Sequence, residues 1–205
     1  MSSISVAGDV SGAISIAAPS AAGSGVLTLP TGTDTLVGKA TTDTLTNKSI
    51  AATQLTGTIA ASVLPAGSVL QVVQGSTSTQ VTNATSTFAD TGLTATITPK
   101  FSTSKILVAT NQNGAGKAGA TLATGVGVQL LRGASVIQVI EVIAAYNNST
   151  TENFIGSVSF QYLDSPATTS ATTYKIQFKN NVNAGTVYVQ VSGAASSITL
   201  MEIAV

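Results

Sequence analysis

The chain has 205 residues, with eight basic and eight acidic side chains and no Cys, His or Trp. These absences exclude disulfides, Cys/His zinc sites, thiol nucleophiles and Ser-His-Asp triads. A net charge of zero provides no basic excess for phosphate backbones, so we expect no nucleic-acid binding. Because only 8% of the residues are charged, little repulsion opposes self-association, and we expect an oligomer.

Residues 1–65 contain no aromatic side chain and are rich in Gly, Ala, Ser and Thr. Short apolar pieces alternate with turn residues, as at Ala13–Ala17 and Val26–Leu29, and Thr33–Leu36 recurs as Thr42–Leu45. Pieces of this length cannot bury an apolar face alone, so they become ordered by packing on other chains or on another protein. We therefore expect an extended β arm, and a disordered low-complexity arm is the alternative.

The first residues also bear on targeting. Met1–Ser5 has no basic segment and Asp9 interrupts any apolar stretch, so we expect no signal peptide. No run of about 18 apolar residues occurs, which predicts no transmembrane helix and no membrane insertion. We expect synthesis and folding in a cytoplasm.

Residues 66–205 follow a turn signal at Pro65 and read as strands. Period-two alternation predicts strands with one buried face around Leu93–Ile97, Phe154–Tyr162 and Tyr174–Lys179. Further predicted strands are Ser68–Gln74, Lys105–Asn111, Val126–Arg132, Ser135–Val142, Thr186–Ser192 and Ile198–Val205. The sequence therefore predicts an all-β protein, an extended N-terminal β arm followed by an antiparallel β-sandwich of jelly-roll type. An immunoglobulin sandwich is disfavoured because its Cys and Trp residues are absent.

No catalytic, cofactor-binding or metal-binding residue is predicted. The stretch Gly114–Gly119 looks like a phosphate loop, but Ala118 follows Lys117 where a hydroxyl is needed, and a glycine hairpin fits better. Glu141 and Glu152 are interpreted as charges flanking a loop, although two carboxylates are also what a glycosidase requires. We therefore expect the chain not to be an enzyme.

Three predicted loops are candidate contact surfaces, because loops carry recognition on rigid β-scaffolds. They are residues 112–121, 146–152 and 180–185. Tyr146 is the strongest candidate, since it stands beside two Asn residues in a predicted exposed loop, whereas Tyr162 and Tyr174 follow the buried alternation. The candidate contact residues are Asn113, Lys117, Tyr146, Asn147, Asn148, Asn181 and Asn183.

Several motifs together resemble a known family. Asp9–Pro19, Val26–Pro30, Thr42–Ile50 and Gln54–Ile59 resemble the opening and linker repeats of bacteriophage tail-fibre-like virion proteins. Later motifs resemble the terminal β-domain of phage structural proteins; they are Ser86–Leu93, Ser102–Val108, Leu163–Ile176 and Ile198–Ile203.

This resemblance implies a homotrimeric virion component made in a bacterial host. It implies that residues 1–65 attach to a baseplate, tail or major capsid protein, and that residues 66–205 face outward. The function it favours is a short tail fibre that contacts a host glycan or receptor. Because the chain is short for a long fibre, a capsid decoration (cement) or head-fibre protein is the alternative. A glycan depolymerase is a remote alternative, since few acidic and aromatic residues are present.

Overall fold

The computed structural model describes residues 3–7, 13–17, 49–51, 57, 59–118, 124–147, 155–182 and 185–205. The chain divides into two compact units, Met1–Thr56 and Gly57–Val205. The boundary predicted after Pro65 therefore falls inside the second unit, which also includes a short 3-10 turn at Ala61–Val63. No helix among the described residues has the length and apolar character needed to cross a membrane.

In the first unit, two strands pair antiparallel. They are β1 (Ser3–Ala7) and β2 (Ala13–Ala17), with Ser3 opposite Ala17. The second strand coincides with the first apolar piece recognised in the sequence. The other predicted pieces, Val26–Leu29, Thr33–Leu36 and Thr42–Leu45, lie outside the described residues.

The second unit is built from ten strands. They are β3 (Val69–Thr77), β4 (Val81–Asn83), β5 (Ala89–Ile97), β6 (Lys105–Ala118), β7 (Thr124–Arg132), β8 (Ser135–Asn147), β9 (Ile155–Asp164), β10 (Thr172–Asn180), β11 (Thr186–Val189) and β12 (Ser196–Ile203). Every pairing between them is antiparallel. Of these strands only the three-residue β4 had no counterpart in the sequence prediction.

The strands form two sheets. In sheet I the order is β3-β12-β6-β9, and in sheet II it is β5-β10-β7-β8. The short strand β11 pairs with the C-terminal end of β6, and β4 pairs with β11, so these two strands extend sheet I. The main strands alternate between the sheets along the chain, except at the β7–β8 hairpin within sheet II, and the first and last of them, β3 and β12, are neighbours. This is the jelly-roll winding of an antiparallel sandwich. The predicted fold class is thereby confirmed.

The core lies between the two sheets. The alternation read from the sequence places Leu93 and Ile97 of β5, and Tyr174, Ile176 and Phe178 of β10, in the interior with at most 1% exposure. Sheet I contributes Ile106, Val108, Ile198 and Leu200 to the same cluster. Burial of this apolar surface at about 25 cal/mol per Å² is the main stabilising term of such a sandwich.

The register places the ends of the strands at two opposite ends of the sandwich. At one end, here called the base, the chain enters β3 and leaves β12, and Gly67 N donates to Ala204 O at 2.8 Å. At the other end, here called the tip, β6 ends and β7 begins, and β8 ends and β9 begins. Because β6 is 14 residues long, base and tip are separated by about 45 Å.

One predicted loop is wrong. Residues 112–118 belong to β6, and the Asn-Gly signal at Asn113–Gly114 produces a bulge inside the strand, where the register with β9 shifts between Gln112 and Ala115. Gly114 has a φ of +60°, and a Cβ there would lie 2.6 Å from Val191 N. Glycine is therefore required for the bulge rather than for a hairpin turn.

Candidate interaction surfaces

The structure places some of the candidate contact residues at the tip and others inside the fold. Tyr146 is 44% exposed near the end of β8, at the tip. Asn181 also lies at the tip, where its side-chain oxygen accepts a hydrogen bond from Gly125 N at 2.8 Å. Asn147 is the last residue of β8 and pairs with Thr124. The structure thus brings three predicted contact residues to one end of the sandwich.

Two other candidates are held inside the fold. Lys117 is 1% exposed within β6, so the prediction that it lies in an exposed contact loop is wrong. Asn113 is half-buried in the β6 bulge, and its side chain donates to Ala195 O at 2.6 Å. Asn148 and Asn183 lie outside the described residues. The inward residues were mistaken for loop residues because a bulge and a turn use the same Asn-Gly chemistry.

The carboxylates of the described residues accept hydrogen bonds that hold parts of the fold together. Asp164 lies at the base end of β9 in sheet I and accepts from Arg132 Nη1 at 2.8 and 3.0 Å and from Tyr174 Oη at 2.7 Å. Arg132 and Tyr174 belong to β7 and β10, so this carboxylate ties the two sheets together. Burial, reinforced by the hydrogen bond to Asp164, raises the pKa of Tyr174 far above its ordinary value.

Glu202 performs a similar role inside β12. It is fully buried and accepts from Gln71 Nε2 at 2.5 Å and from the backbone N–H of Lys100 at 2.7 Å and Phe101 at 3.3 Å. Burial alone would raise the pKa of Glu202, but these hydrogen bonds outweigh it and hold the pKa below its ordinary value. The side chain thus fixes the corner between β5 and β6.

The outer face of sheet II is polar and internally bonded. Asp90 of β5 accepts from Lys175 Nζ at 2.9 Å and from Gln177 Nε2 at 2.7 Å, and Gln129 Nε2 donates to Gln177 Oε1 at 2.9 Å. Burial would raise the pKa of Asp90, but its bonds to Gln177 and Lys175 lower it overall. These bonds join three strands across a face in contact with solvent.

The outer face of sheet I carries a different pattern. Opposed residues on its four strands form one apolar row, Val72, Met201, Leu107 and Leu163. The next row toward the tip is Gln74, Thr199, Ala109 and Gln161, and the one beyond it is Ser76, Ser197, Asn111 and Ser159. None of these twelve side chains is charged. Val72 and Leu163 are 57% and 51% exposed.

A shallow groove of about 490 Å³ crosses the two polar rows of this face. Its floor includes the small side chain of Ala109, and Asn111, Ser159 and Thr199 stand around it. Asn111 Oδ1 accepts from Ser159 Oγ at 3.0 Å, and Gln74 Nε2 donates to Thr199 Oγ1 at 3.0 Å. The face therefore combines an exposed apolar row with a concave, uncharged surface beside it.

A second apolar surface follows β8, the edge strand of sheet II. Val136, Val139, Val142 and Ile143 are 42–64% exposed. Glu141 lies between these residues, and its Oε1 accepts hydrogen bonds from the backbone N–H groups of Val142 at 2.8 Å and Ile143 at 3.1 Å.

Among the residues that the structure describes, no group of three His, Cys, Asp or Glu side chains is arranged to hold a metal ion.

Comparison with known proteins yields distant structural neighbours. No family model and no curated protein matches the sequence. The VP2 subviral particle of infectious bursal disease virus is similar over 67% of this chain and 34% of its own, at 13% identity and a TM-score of 0.40. The T13 particle of that virus is similar over 67% and 36%, at 15% identity and a TM-score of 0.36. The matched region spans about a third of those chains, and the jelly-roll assignment rests on the strand order described above.

Proposed function

We propose that this chain is a bacteriophage virion structural protein, a short tail fibre whose tip contacts the host surface. The observation that carries the proposal is the polarity of the sandwich. Tyr146, Asn147 and Asn181 gather at the tip, while the chain enters and leaves at the base. A rigid β-scaffold presents these residues about 45 Å from the base, where the chain enters the sandwich. This arrangement suits a protein that is attached at one end and contacts its target with the other.

The proposed role is non-catalytic. Each of the four carboxylates among the described residues is engaged in hydrogen bonds within the fold: Asp90, Glu141, Asp164 and Glu202. A glycosidase needs two carboxyl groups facing a shared cleft, about 5–10 Å apart. The bonding of these side chains favours binding over glycan hydrolysis.

The partners in this proposal follow from the family resemblance and the composition. Residues 1–65 attach the protein to a baseplate or tail protein, and three copies associate into a trimer. The trimer multiplies weak contacts of each tip with a host glycan or receptor, because linked copies raise the effective concentration. The protein is made in the bacterial host cytoplasm and resides in the virion.

The second candidate is a capsid decoration protein. The observation that favours it is that Met1–Thr56 forms a compact unit distinct from the sandwich, which can bind a shell subunit on its own. In that case the protein stabilises the shell and the tip has no receptor. Shells lacking the protein would then rupture at lower temperature than complete shells.

Immunogold labelling of intact virions with an antibody to the second unit separates these roles. Label at the tail supports the fibre, and label spread over the head overturns it in favour of decoration. The tip is tested with the full-length protein on host cells: Tyr146→Ala should lower binding at least tenfold, whereas Thr96→Ala, far from the tip, should leave it unchanged. Equal binding of both variants contradicts the contact role of Tyr146.

A further inference from the structure

Two uncovered apolar surfaces lie on different parts of the same domain. The row surface consists of Val72, Met201, Leu107 and Leu163 together with the groove beside them, on the outer face of sheet I. The edge surface consists of Val136, Val139, Val142 and Ile143 on β8, in sheet II. Six of these eight side chains are at least 42% exposed, and the other two, Leu107 and Met201, are partly exposed in the middle of sheet I.

We propose that the occupant of the row surface is the edge surface of a second copy of this chain. This inference deepens the trimer of the proposed function by giving it its contact surfaces, and it depends on that trimer for the number of copies. A contact between two different surfaces is heterologous; it repeats from copy to copy and forms a ring when the rotation between copies closes, which in this proposal happens after three copies. Each copy of a three-membered ring then covers both of its apolar surfaces.

The forms of the two surfaces permit this contact. β8 is the last strand of sheet II, so the edge surface is a narrow line of β-branched side chains, and the row surface is a broad face that includes a groove of about 490 Å³. Ala109 lowers the floor of that groove between the longer side chains of its row. The edge surface can therefore pack along the apolar row, whose side chains make no hydrogen bonds that the contact would have to break.

Charge also favours this occupant over a foreign one. The twelve outward side chains in the three rows are uncharged, and Glu141 on the edge is bonded to its own backbone. Bringing copies together therefore leaves no carboxylate or ammonium group of the rows unpaired in the contact. A charged partner would find nothing to pair with on these rows, whereas a second copy presents the uncharged β-branched side chains of its edge surface.

The areas are consistent with a ring. A four-strand face about 19 Å wide and 27 Å long offers about 500 Å², and a 13-residue edge about 10 Å thick offers about 430 Å². One such contact is smaller than a stable dimer interface, which buries about 1,200–2,000 Å² in total. In a closed ring each copy is held by two contacts, and this doubling makes the ring more stable than an open pair.

Light scattering on the full chain at micromolar concentration is the first test. The wild-type protein should have a mass of about 61 kDa, three times its 20.3 kDa. Val142→Lys on the edge surface and Leu163→Lys on the row surface should each reduce the mass toward one chain. The matched control is Thr96→Lys, which places the same charge on β5, far from both surfaces, and should retain the wild-type mass. Circular dichroism verifies that each variant keeps its strands.

The outcomes test the trimer and its assigned contact surfaces separately. A wild-type mass near 20 kDa overturns the trimer itself and with it this inference. A trimeric wild type whose mass is unaffected by Val142→Lys or Leu163→Lys overturns only the assigned surfaces. In both cases the position of the protein in the virion is decided by the immunogold labelling and not by this result.

Cysteine cross-linking tests the heterologous pairing directly, because the natural chain contains no Cys. The double variant Val142→Cys/Leu163→Cys, treated with a short bis-maleimide, should yield a band of three linked chains under denaturing conditions. Each single variant should remain one chain, since its cysteine faces an unmodified surface of its neighbour. A two-chain band from the single Val142→Cys variant would show an isologous contact and overturn the proposal.

Discussion

The two sheets of the sandwich differ most on their outer faces. Sheet II carries charged and amide side chains that bond one another across three strands, from Gln129 through Gln177 to Asp90 and Lys175. Sheet I has an uncharged apolar row, with cross-strand hydrogen bonds only in the polar rows beside it. The two sheets enclose the same core. The difference between their outer faces therefore concerns what each face meets, which is water for the polar face on β5, β10 and β7 of sheet II and, in our proposal, another copy for sheet I.

The largest expected effect comes from cutting the link between the sheets. Asp164→Ala removes the acceptor of Arg132 and Tyr174 and leaves both donors at a largely buried position, which should cost about 2–4 kcal/mol. Urea denaturation measures the loss. Asp164→Asn, which retains an oxygen acceptor of similar shape, should lose less, and equal losses for the two variants would contradict the role assigned to the carboxylate.

The next effect concerns the edge where β3 of sheet I lies against β5 of sheet II. A Cβ on Gly75 of β3 would collide with the backbone oxygen of Thr94 on β5, so Gly75→Ala should destabilise the fold by about 1–3 kcal/mol. Gly156→Ala is the matched control, because its Cβ would meet only the Ala145 Cβ at an ordinary 3.7 Å. Thermal unfolding should show a clear decrease for the first variant and a change near zero for the second.

Protonation should weaken the corner held by Glu202. Its pKa in the folded protein lies below the ordinary value of 4.5, so its hydrogen bonds contribute fully above that value and are lost as pH falls through the folded pKa. The free energy of unfolding should therefore decrease as pH drops below about 5. Glu202→Gln should flatten this dependence. Because the Asp90 pKa is also lowered, Asp90→Asn is measured in parallel, and an unchanged slope for Glu202→Gln would refute the assignment.

The smallest effect is expected on the outer face of sheet II. Lys175→Ala breaks an ion pair with Asp90, whose side chain is 54% exposed, and should cost less than about 1 kcal/mol. The loss should shrink further when salt is added, because exposed charges are screened. A loss above that range in urea denaturation would mean that this face is not simply solvated. The oligomer mass should remain that of the wild type.

Much of the fold was predictable from the sequence because its strands alternate cleanly. Leu93–Ile97 and Tyr174–Phe178 change from apolar to polar at every step, and the structure buries the apolar half of each. Period two reports burial directly, since successive side chains point to opposite faces. The strand order was inferred only as a class, because pairing between strands far apart in sequence leaves no local signal.

The candidate site was predictable only in part. Tyr146 was found because a bulky aromatic beside two Asn residues stands out in a neutral chain, and the structure places it at the tip. Lys117 was misplaced because a lysine among glycines looks solvated, whereas β6 continues through it, pairs with β11 there and buries its side chain. The row surface was missed altogether: Val72, Leu107, Leu163 and Met201 become neighbours only through the pairing of four strands.

The hydrogen bond between Gly67 and Ala204 has a consequence for how the domain can be engineered. Since the backbone of the ten-strand sandwich starts and finishes at adjacent points, it forms a nearly closed loop of chain. A short linker joining Val205 to Ser68 would complete that loop, and new ends opened at the exposed turn around Gly133 would leave all ten strands intact. The domain is thus suited to circular permutation, in which strand order along the chain changes while strand order in the sheets does not.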